Sequence, residues 1–497
     1  MDAFALKTVS EAETNQLGKD IAMVLQRGDF ICLSGDLGTG KSVLARGIIR
    51  HLARDEDFEV PSPTYTLCQS YDTIPAVSHF DLYRISGMDE LEELGWEDTL
   101  ETGCILMEWP EQCFDEIPKQ AIHIEFSENN ETERILSFSG NAHLLSRIKR
   151  SLLIQKFLSD ADYHNITRYP LMGDASARSY ELISHDDEQL LLMNAPALPD
   201  GPPIKDGKPY SKIAHLAEDV TAFVAIDELI RAKGFAAPEI KGQNLDEGLL
   251  LIEHFGDEGI IDENRVPIAE RYMAAIEFLA AFHACDFKNK VSLKSGEMYQ
   301  IPSYDEEAIL IEVDLLLQWY APSQSGSKID QEDVLHFEEL WRGYAEKIQS
   351  YEQTLVMRDY HSPNILWRAQ ETGSDRIGVI DFQDAVIGPT AYDVASLTQD
   401  ARVDVSPELE TQLVNHYIKC RMAQDNAFDE NVFRESYAIM AAQRATKILG
   451  IFIRLNERDG KPAYLKHLPR MQDYIQRSLQ HPILEPYKTW LETVIKL

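Results

Sequence analysis

Hydrophobic and polar positions alternate in short patches along residues 1–140, and the patches are in turn helix-like and strand-like. Residues 30–34 (FICLS) form an apolar run that is typical of a buried strand. The stretch SVLARGIIRHLA, which begins at Ser42, has helical periodicity, and the apolar runs AVSHF and CILM end at Asp81 and Glu108. This alternation predicts an α/β domain with a mostly parallel sheet over residues 1–145.

The remainder of the chain follows a different pattern. Residues 141–160 predict a single amphipathic helix with a basic face at the junction of two domains. Strand-like patches come next, and from residue 405 to the end the pattern is helical almost throughout. We predict loops at 199–212, which is rich in Pro and Gly, and at 321–328 (APSQSGSK).

Composition and charge narrow the classes of protein to consider. A chain of 497 residues exceeds the ~250–300 residues of one globular core, so at least two folding units are expected. Residues 1–150 carry 13 basic and 27 acidic side chains, and residues 151–497 carry 34 and 56. An excess of acid in both parts argues against broad binding to nucleic-acid backbones, although a nucleic acid held by a partner protein is not excluded.

No stretch approaches the ~20 apolar residues of a membrane span, and the N-terminus lacks a basic and apolar leader. The six cysteines are scattered, with no CxxC pair and no His cluster at zinc spacing. We therefore expect a cytoplasmic protein with free thiols and no membrane association.

A phosphate-binding loop follows the first predicted strand. The segment GDLGTGKS has the spacing GxxxxGK[ST] between a strand and a helix. Its glycines allow backbone N–H groups to surround phosphate oxygens, Lys41 would reach the β- and γ-phosphates, and the Ser42 hydroxyl would bind Mg²⁺. The alternative is a glycine-rich turn without a ligand. The predicted ATP-binding residues of this loop are Gly35, Asp36, Leu37, Gly38, Thr39, Gly40, Lys41 and Ser42.

Two carboxylates are candidates for the metal and the attacking water. Asp81 and Glu108 each end an apolar run, and we place them at the ends of neighbouring parallel strands, where open α/β sheets carry their sites. Either acid alone could equally be a solvated strand-end residue. The intervening Ser62-Pro63-Thr64 is, from the residues alone, simply a turn.

The motifs GDLGTGKS, PSPTYTL, HFDLYR and EWPE resemble, in this order, the TsaE family of bacterial ATPases that support synthesis of threonylcarbamoyladenosine in tRNA. The resemblance spans about residues 5–140. It implies that Lys41 and Ser42 bind ATP and Mg²⁺ and that Glu108 is a metal-site acid. It also implies that Asp81 is needed for hydrolysis and that Thr64 lies in a switch-like loop.

Further expectations come from the same resemblance. Glu11 stands where the family's N-terminal segment borders the nucleotide, and Trp109 is either functional or simply a buried aromatic residue beside the site. Family members act with two partner proteins, TsaB-like and TsaD-like, that carry the tRNA chemistry. The resemblance therefore implies that this chain meets tRNA only indirectly.

A second constellation of polar residues lies in the C-terminal part. Asp359 is followed five residues later by Asn364, and Asp381 ends the strand-like GVI after a hairpin. This arrangement is typical of kinase-like phosphotransferases. Asp359 would accept the proton of an attacking hydroxyl, and Asn364 and Asp381 would hold Mg²⁺. We expect Asp393, in GPTAYDVASL, to brace the catalytic loop.

The smaller lobe of such a fold is predicted upstream, over residues 155–255, with the helical lobe over 256–497. Ser176 and Arg178 lie in a predicted hairpin that would cover the phosphates, and Glu253 lies in a strand whose backbone would meet adenine. The strand that normally supplies an anchoring lysine carries Met193 instead. Two alternatives stay open for Arg178, which either replaces that charge or is an exposed loop residue.

The segments GDASARSY, LLMNAP, MRDYHSPN, DFQDAVIGPTAYD and SLTQDAR resemble the AmgK subgroup of the aminoglycoside-phosphotransferase superfamily, over about residues 155–495. Its members phosphorylate C1 of N-acetylmuramate and N-acetylglucosamine in peptidoglycan recycling, and they tolerate the absent lysine. Arg358, in MRD where HGD is common, has a structural or a phosphate-facing role. Asp384 and Arg402 are equally well explained by sugar contacts or by structural roles.

Three hypotheses follow. The first is a fusion of a tRNA-modification ATPase with a bilobal, kinase-like α+β amino-sugar kinase, both of which use ATP and Mg²⁺. In the second, the N-terminal domain is an ATP-dependent binding switch. The third keeps the kinase fold and changes the acceptor to an aminoglycoside, choline or a homoserine-like alcohol.

Overall fold

The structure is a computed structural model that describes residues 3–85, 94–130, 132–164, 166–171, 178–186, 188–197, 199–326 and 328–495. By packing, the chain divides into two units. The first comprises Met1–Asp174 and Ser179–Gln189, and the second comprises Ala175–Arg178 and Leu190–Leu497. The domain boundaries predicted above stay a prediction.

The first unit alternates strands and helices. Its strands are β1 (Phe4–Thr8), β2 (Phe30–Ser34), β3 (Cys68–Tyr71), β4 (Ala76–Asp81), β5 (Gly103–Glu108), β6 (Ile122–Glu128), β7 (Arg134–Gly140), β8 (Thr167–Leu171) and β9 (Ser179–His185). Its helices are α1 (Glu11–Ala22), α2 (Lys41–Ala53), α3 (Trp96–Thr102) and α4 (Ala142–Asp160), with a 3-10 segment at Pro110–Glu116. The predicted strand at 30–34 and the predicted helices after Ser42 and at 141–160 are confirmed.

Strands β1 to β7 of the described residues form one sheet in the order β1-β7-β6-β2-β5-β4-β3. The central pairs β6–β2, β2–β5 and β5–β4 are parallel, and the outer pairs are antiparallel. Buried apolar side chains cover both faces of the central strands, as their unbroken apolar runs predict. This confirms the predicted α/β domain with its largely parallel sheet.

Polar side chains cap the N-termini of two helices in this unit. Ser10 caps α1 by accepting a hydrogen bond from the Glu13 amide at 3.2 Å, and Asn141 caps α4 through the amides of His143 and Leu144.

Gly35 has φ 128°, and a Cβ there would lie 2.5 Å from the carbonyl oxygen of Phe126. The turn from β2 into the phosphate loop therefore requires glycine.

The second unit has a smaller β-rich part followed by a helical part. Its strands are β10 (Glu188–Asn194), β11 (Pro203–Lys205), β12 (Lys208–Pro209), β13 (Ile240–Asn244), β14 (Leu249–Glu253), β15 (Lys290–Ser292), β16 (Met298–Gln300), β17 (Gln353–Val356), β18 (Ile365–Trp367), β19 (Ile377–Val379) and β20 (Val386–Pro389). Its helices are α5 (Tyr210–Ile213), α6 (Thr221–Ala232), α7 (Ala269–His283), α8 (Glu306–Leu315), α9 (Ala321–Ser325), α10 (Gln331–Ser350), α11 (Ala391–Thr398), α12 (Pro407–Gln424), α13 (Glu430–Glu457), α14 (Leu468–Ser478) and α15 (Glu485–Trp490). Strand β14 pairs with both β10 and β13 in antiparallel register.

The loop predicted at 321–328 is wrong for its first five residues. A π-helical turn at Leu316–Tyr320 continues α8 directly into α9 (Ala321–Ser325), and the helix ends at Gly326 with φ 68°. The predicted loop at 199–212 also contains the short strands β11 and β12 and the beginning of α5.

The helical part of the second unit is assembled around α13. Gly450 allows α13 to approach α8 closely, because a Cβ there would lie 2.3 Å from the carbonyl oxygen of Leu315. Among the described residues, no helix combines the length and the apolar character needed to cross a bilayer. The predicted helical character beyond residue 405 is confirmed by α12 to α15.

Candidate functional site

The phosphate loop lies between β2 and α2, where its sequence predicts it. Gly38 and Gly40 have φ values of 81° and 109°, and α2 begins at Lys41 directly after Gly40. The Lys41 ammonium donates to the carbonyl oxygens of Gly35 and Asp36 at 2.7 and 2.9 Å. These positive-φ glycines bend the backbone into a loop that can surround an anion at the N-terminus of a helix.

Lys41 is 4% exposed and lies over the Trp109 ring, 3.9 Å from its centroid. Burial lowers the pKa of Lys41, while the carboxylates of Glu108 and Glu111 raise it. Trp109 itself has φ 60° and donates its backbone N–H to the carbonyl oxygen of Leu33. The indole ring therefore shields the lysine that would meet phosphate, so Trp109 belongs to the site.

The two predicted strand-end acids lie side by side. Asp81 and Glu108 are register partners on the parallel strands β4 and β5. Glu108 is 2% exposed, and its Oε2 accepts a hydrogen bond from the Ser42 hydroxyl at 3.1 Å. A hydroxyl and a carboxylate that meet in this way supply two oxygen ligands of the kind Mg²⁺ prefers.

Asp81 is instead joined to the loop that precedes β3. The Thr64 hydroxyl donates to Asp81 Oδ2 at 2.6 Å, and Ser62 lies within hydrogen-bond distance of Thr64 at 2.8 Å. Asp81 Oδ1 also accepts from the Tyr83 amide at 3.1 Å. Ser62-Pro63-Thr64 is thus tied to the strand-end acid and is more than the simple turn that the residues alone predict.

Sequence reasoning missed His79. This side chain is 1% exposed, and its Nε2 lies 3.0 Å from Glu108 Oε1. His79 and Asp81 occupy alternate positions of β4, so they point to the same face of the sheet. That alternation in HFD was the signal that could have identified His79 as the residue that orients Glu108.

Glu11 lies at the first position of α1, with its carboxylate mostly exposed and 3.7 Å from Arg46 of α2. The start of α1 does border the phosphate loop, since a Cβ on Gly40 would lie 3.9 Å from Thr14. Leu37 at the tip of the loop is 78% exposed, whereas Thr39 is buried and donates to the Asp36 carbonyl oxygen.

In the second unit, Asp359, Asn364 and Asp381 converge. The Asn364 amide donates to the Asp359 carbonyl oxygen at 3.0 Å and lies 3.4 Å from Asp381 Oδ2. Asp381 follows β19 with φ 58°, and Gln383 donates to its Oδ1 at 2.9 Å. The carboxylate of Asp381 and the amide oxygen of Asn364 fit a Mg²⁺ that keeps its other positions for phosphate and water.

No group of three or more His, Cys, Asp or Glu side chains suited to a metal occurs in the described part of the chain. In each of the two sites above, an amide or a hydroxyl lies beside a carboxylate, a donor set that would leave positions for phosphate and water on a bound Mg²⁺. This is usual for Mg²⁺, which seldom has an all-protein cage.

Asp393 holds the backbone of the loop that carries Asp359, as the sequence predicts. This fully buried carboxylate accepts the amides of Met357 and Arg358 at 2.7 and 2.9 Å. Ser396 and Arg444 donate to the Arg358 carbonyl oxygen at 3.1 and 2.8 Å. These contacts all hold backbone atoms of the loop, so they do not depend on the side chains of its exposed face.

Arg358 has a structural role. Its guanidinium is 2% exposed, is paired with Glu312, and donates to the Ala214 carbonyl oxygen at 2.8 Å. Glu312 also accepts from Lys447 at 2.6 Å, which forms a buried charge cluster that the sequence did not reveal. The phosphate-facing alternative for Arg358 is therefore excluded.

The surroundings of Asp359 set its charge state. Burial alone raises the pKa of the Asp359 carboxyl, but electrostatic interactions with His361, Lys447 and Arg444 outweigh burial and hold the pKa below its usual value. Asp359 is thus ionised at neutral pH. A carboxylate in this state can accept a proton from a hydroxyl group.

Arg178 lies against the metal-site carboxylate. Its Nη1 is 3.0 Å from Asp381 Oδ1, and its side chain is 21% exposed. This contact favours the alternative in which Arg178 brings a positive charge to the site. Ser176, the other residue predicted in this hairpin turn, lies outside the described residues.

The remaining candidates are Glu253, Asp384 and Arg402. Glu253 ends β14, accepts from the Glu239 amide at 3.1 Å, and lies 4.0 Å from Arg368. Asp384 accepts from the Ala217 amide at 2.7 Å, and burial raises its pKa. Arg402 contacts the His361 ring.

Asp227 of α6 is a buried carboxyl group. Met193, at the predicted lysine position, is 2% exposed, as is Asp227. Asp227 Oδ1 has no hydrogen-bond partner among the described residues. Burial raises the Asp227 pKa to about 7, against a weaker opposing effect from Arg231. This carboxyl is therefore largely protonated in the folded protein below neutral pH.

Replacing Asp227 by asparagine is expected to stabilise the protein at pH 8 by about 2–4 kcal/mol and to change little at pH 4. The folded state binds the extra proton between the unfolded pKa near 4 and the folded pKa of about 7, so stability falls as the pH rises through this window. Urea denaturation at both pH values measures the effect. The control, Glu339→Gln on the exposed face of α10, should show no such difference, and equal midpoints for Asp227→Asn and native protein at pH 8 would contradict this account.

Comparison with known proteins identifies two family matches. Residues 8–136 match the family described as threonylcarbamoyl adenosine biosynthesis protein TsaE. Residues 169–428 match the family described as phosphotransferase enzyme family. The two matches do not overlap, and each contains one of the two sites described above.

Several curated relatives are similar to one part of the chain or the other. An N-acetylmuramate/N-acetylglucosamine kinase of Caulobacter vibrioides is 32% identical over 68% of this chain and 95% of the relative. The protein of the same name from Pseudomonas aeruginosa is 29% identical over 62% of this chain and 83% of the relative. A tRNA threonylcarbamoyladenosine biosynthesis protein TsaE of Rickettsia felis is 36% identical over 27% of this chain and 78% of the relative.

Proposed function

Because the chain belongs to the phosphotransferase enzyme family and, through its N-terminal residues, to the TsaE family, it is an ATP-using enzyme with phosphotransferase activity, and we propose that it is bifunctional. The C-terminal unit phosphorylates N-acetylmuramate and N-acetylglucosamine at the anomeric C1 hydroxyl. The N-terminal unit hydrolyses ATP in support of threonylcarbamoyladenosine synthesis on tRNA. The convergence of Asp359, Asn364 and Asp381 carries the kinase proposal.

In the kinase reaction, Asp359 accepts the proton of the sugar hydroxyl as its oxygen attacks the γ-phosphorus of ATP and the bond to ADP breaks. The depressed pKa of Asp359 supports this role, because the group must be ionised before it can act as a base. Asn364 and Asp381 would hold Mg²⁺, which would neutralise the charge of the phosphates. Arg178 adds a positive charge on the opposite side of Asp381.

In the N-terminal unit, Ser42 and Glu108 would hold Mg²⁺, and Lys41 would contact the phosphates. The hydrogen bond between Thr64 and Asp81 supports a switch-like role for the loop around Thr64. A γ-phosphate that draws the Thr64 hydroxyl away would release the Asp81 carboxylate to orient water. The partners proposed for this unit are TsaB-like and TsaD-like proteins, and both activities suit a cytoplasmic protein.

The acceptor is tested with full-length protein, ATP and Mg²⁺, offered separately N-acetylmuramate, N-acetylglucosamine, kanamycin and choline. Phosphorus NMR locates the transferred phosphate. We expect an anomeric sugar phosphate from the first two compounds and no product from the others, because neither kanamycin nor choline has a free anomeric C1 hydroxyl. Transfer to kanamycin or choline, or to a sugar hydroxyl other than C1, would contradict the proposed specificity.

A further inference from the structure

The turn that follows α11 is joined to the catalytic loop through one carboxylate. Asp400 is fully buried, and its Oδ2 accepts a hydrogen bond from the Ser362 amide at 2.8 Å. Its Oδ1 accepts another from the Arg402 amide, also at 2.8 Å. Ser362 lies three residues after Asp359. The backbone of Arg402 is therefore held at a fixed place beside the loop that carries the proposed base.

The Arg402 side chain is held against the same loop by His361. This histidine is 8% exposed, and its Nδ1 lies 2.7 Å from the carbonyl oxygen of Asp359. A carbonyl oxygen can only accept, so Nδ1 carries the ring proton and leaves Nε2 as an acceptor. Arg402 Nη1 donates to this Nε2. The guanidinium is thus two hydrogen bonds away from the backbone of Asp359.

Other basic side chains lie close to Arg402. His467, at the end of the 3-10 segment Pro462–His467, lies 2.8 Å from Arg470 Nη1. The pKa of His467 is lowered to about 4 by burial and by four positive charges, which belong to Arg470, Lys466, Arg265 and Arg402. These four side chains form a basic cluster. Asp404 pairs with Arg470 and offsets one of the four charges, so the group as a whole is positive.

The two proposed acceptors differ in charge at one position. N-acetylmuramate carries a carboxylate on the lactyl ether at C3, whereas N-acetylglucosamine has a hydroxyl group there. Both have the same ring and the same anomeric hydroxyl group, which the proposed reaction places at Asp359. A guanidinium binds a carboxylate through two parallel hydrogen bonds, and the half-buried Arg402 offers this group beside the catalytic loop. A cationic acceptor would meet like charges here.

We propose that Arg402 is a specificity-determining residue of the kinase, whose guanidinium binds the lactyl carboxylate of N-acetylmuramate while Asp359 faces the anomeric hydroxyl group. The basic cluster attracts an anionic acceptor and disfavours cationic alcohols. N-acetylmuramate is then the preferred acceptor, and N-acetylglucosamine is the weaker one. This inference rests on the proposed kinase function and adds which amino sugar the site prefers.

The preference is measured with full-length protein, ATP and Mg²⁺, offered separately N-acetylmuramate, its methyl ester and N-acetylglucosamine. The methyl ester keeps the lactyl ether and loses the negative charge. We expect kcat/KM of the native protein to be about 10- to 100-fold higher for N-acetylmuramate than for the ester or N-acetylglucosamine, which is the range of a hydrogen bond to a charged group.

Arg402→Gln removes the positive charge and keeps an amide N–H that can donate to His361. We expect the ratio of kcat/KM between N-acetylmuramate and its methyl ester to fall to about 1 in this variant, mainly through a higher KM for N-acetylmuramate. A disturbance of the catalytic loop would instead lower the rates with all acceptors together and leave the ratio unchanged. Arg402→Lys keeps the charge and loses the paired geometry, so it should retain part of the preference.

The matched control is Arg342→Gln. Arg342 is an exposed arginine of α10 that pairs with Glu306 at 2.7 Å, and its replacement should keep the native ratio. An unchanged ratio in Arg402→Gln, or equal kcat/KM of the native protein for N-acetylmuramate and its methyl ester, would overturn the inference alone. So would a higher KM for ATP with every acceptor, because Arg402 would then bind the nucleotide. If no acceptor gave an anomeric phosphate, the proposed kinase function would fail together with this inference.

Discussion

Replacing Asp359 by asparagine is expected to lower kcat for sugar phosphorylation by about 10²–10⁴-fold, with little change in the KM for ATP. Asparagine has nearly the same shape and cannot accept a proton. The loop should keep its place, because Asp393 holds the amides of Met357 and Arg358 and no contact of this brace uses the Asp359 carboxylate. Steady-state rates of sugar-phosphate formation measure the effect.

ATP hydrolysis without a sugar serves as the internal control for Asp359→Asn. It reports on the N-terminal unit, whose described site contains Lys41, Ser42, Asp81 and Glu108, and it should stay at the native rate. A variant that still phosphorylates sugar at the native rate would show that Asp359 is not the base. The kinase half of the proposed function would then be lost.

Replacing Lys41 by alanine is expected to lower ATP hydrolysis by the N-terminal unit by about 10²–10³-fold, and threonylcarbamoyladenosine formation with it. The ammonium is the cation placed at the phosphate loop, held by two backbone carbonyl oxygens and the Trp109 ring. Its loss removes the charge that would stabilise the transferring phosphate. The assays are phosphate release without sugar and modification of tRNA with TsaB-like and TsaD-like partners present.

Sugar phosphorylation is the matched control for Lys41→Ala, and it should be preserved. A second variant, Thr64→Val, tests the proposed switch, because it removes the hydroxyl that donates to Asp81 and leaves the nucleotide-binding loop unchanged. If Lys41→Ala hydrolysed ATP at the native rate without sugar, the assignment of hydrolysis to this unit would be wrong. Survival of tRNA modification in Thr64→Val, together with loss of hydrolysis, would favour the hypothesis that the N-terminal domain is an ATP-dependent binding switch.

The elements that carry the chemistry could be predicted because their signals are local. The phosphate loop requires glycine, lysine and a hydroxyl at fixed spacing between a strand and a helix, and Asp81 and Glu108 end apolar runs whose parallel pairing brings them together. Asp393 could be predicted to hold the loop of Asp359 because it lies in the first turn of a helix that follows the loop of Asp381. Each of these inferences uses residues close together in sequence.

Contacts between distant residues could not be predicted in the same way. Arg168 and Asp20 are 148 positions apart, and Arg358 and Glu312 are 46 apart, so nothing in the local pattern pairs them. The helix at Ala321–Ser325 was missed for a related reason. Its Pro, Ser and Gln have low or ordinary helix propensity, and packing that continues α8 decides their conformation.

The central claim, that one chain carries two separate ATP sites, is tested most directly by the stoichiometry of nucleotide binding. A non-hydrolysable ATP analogue with Mg²⁺ is titrated into full-length native protein, Lys41→Ala and Asp381→Asn. The account predicts about two analogues per native chain and about one for each variant, since the two sites share no residue. A single analogue per native chain, or a loss of both sites in either variant, would contradict it.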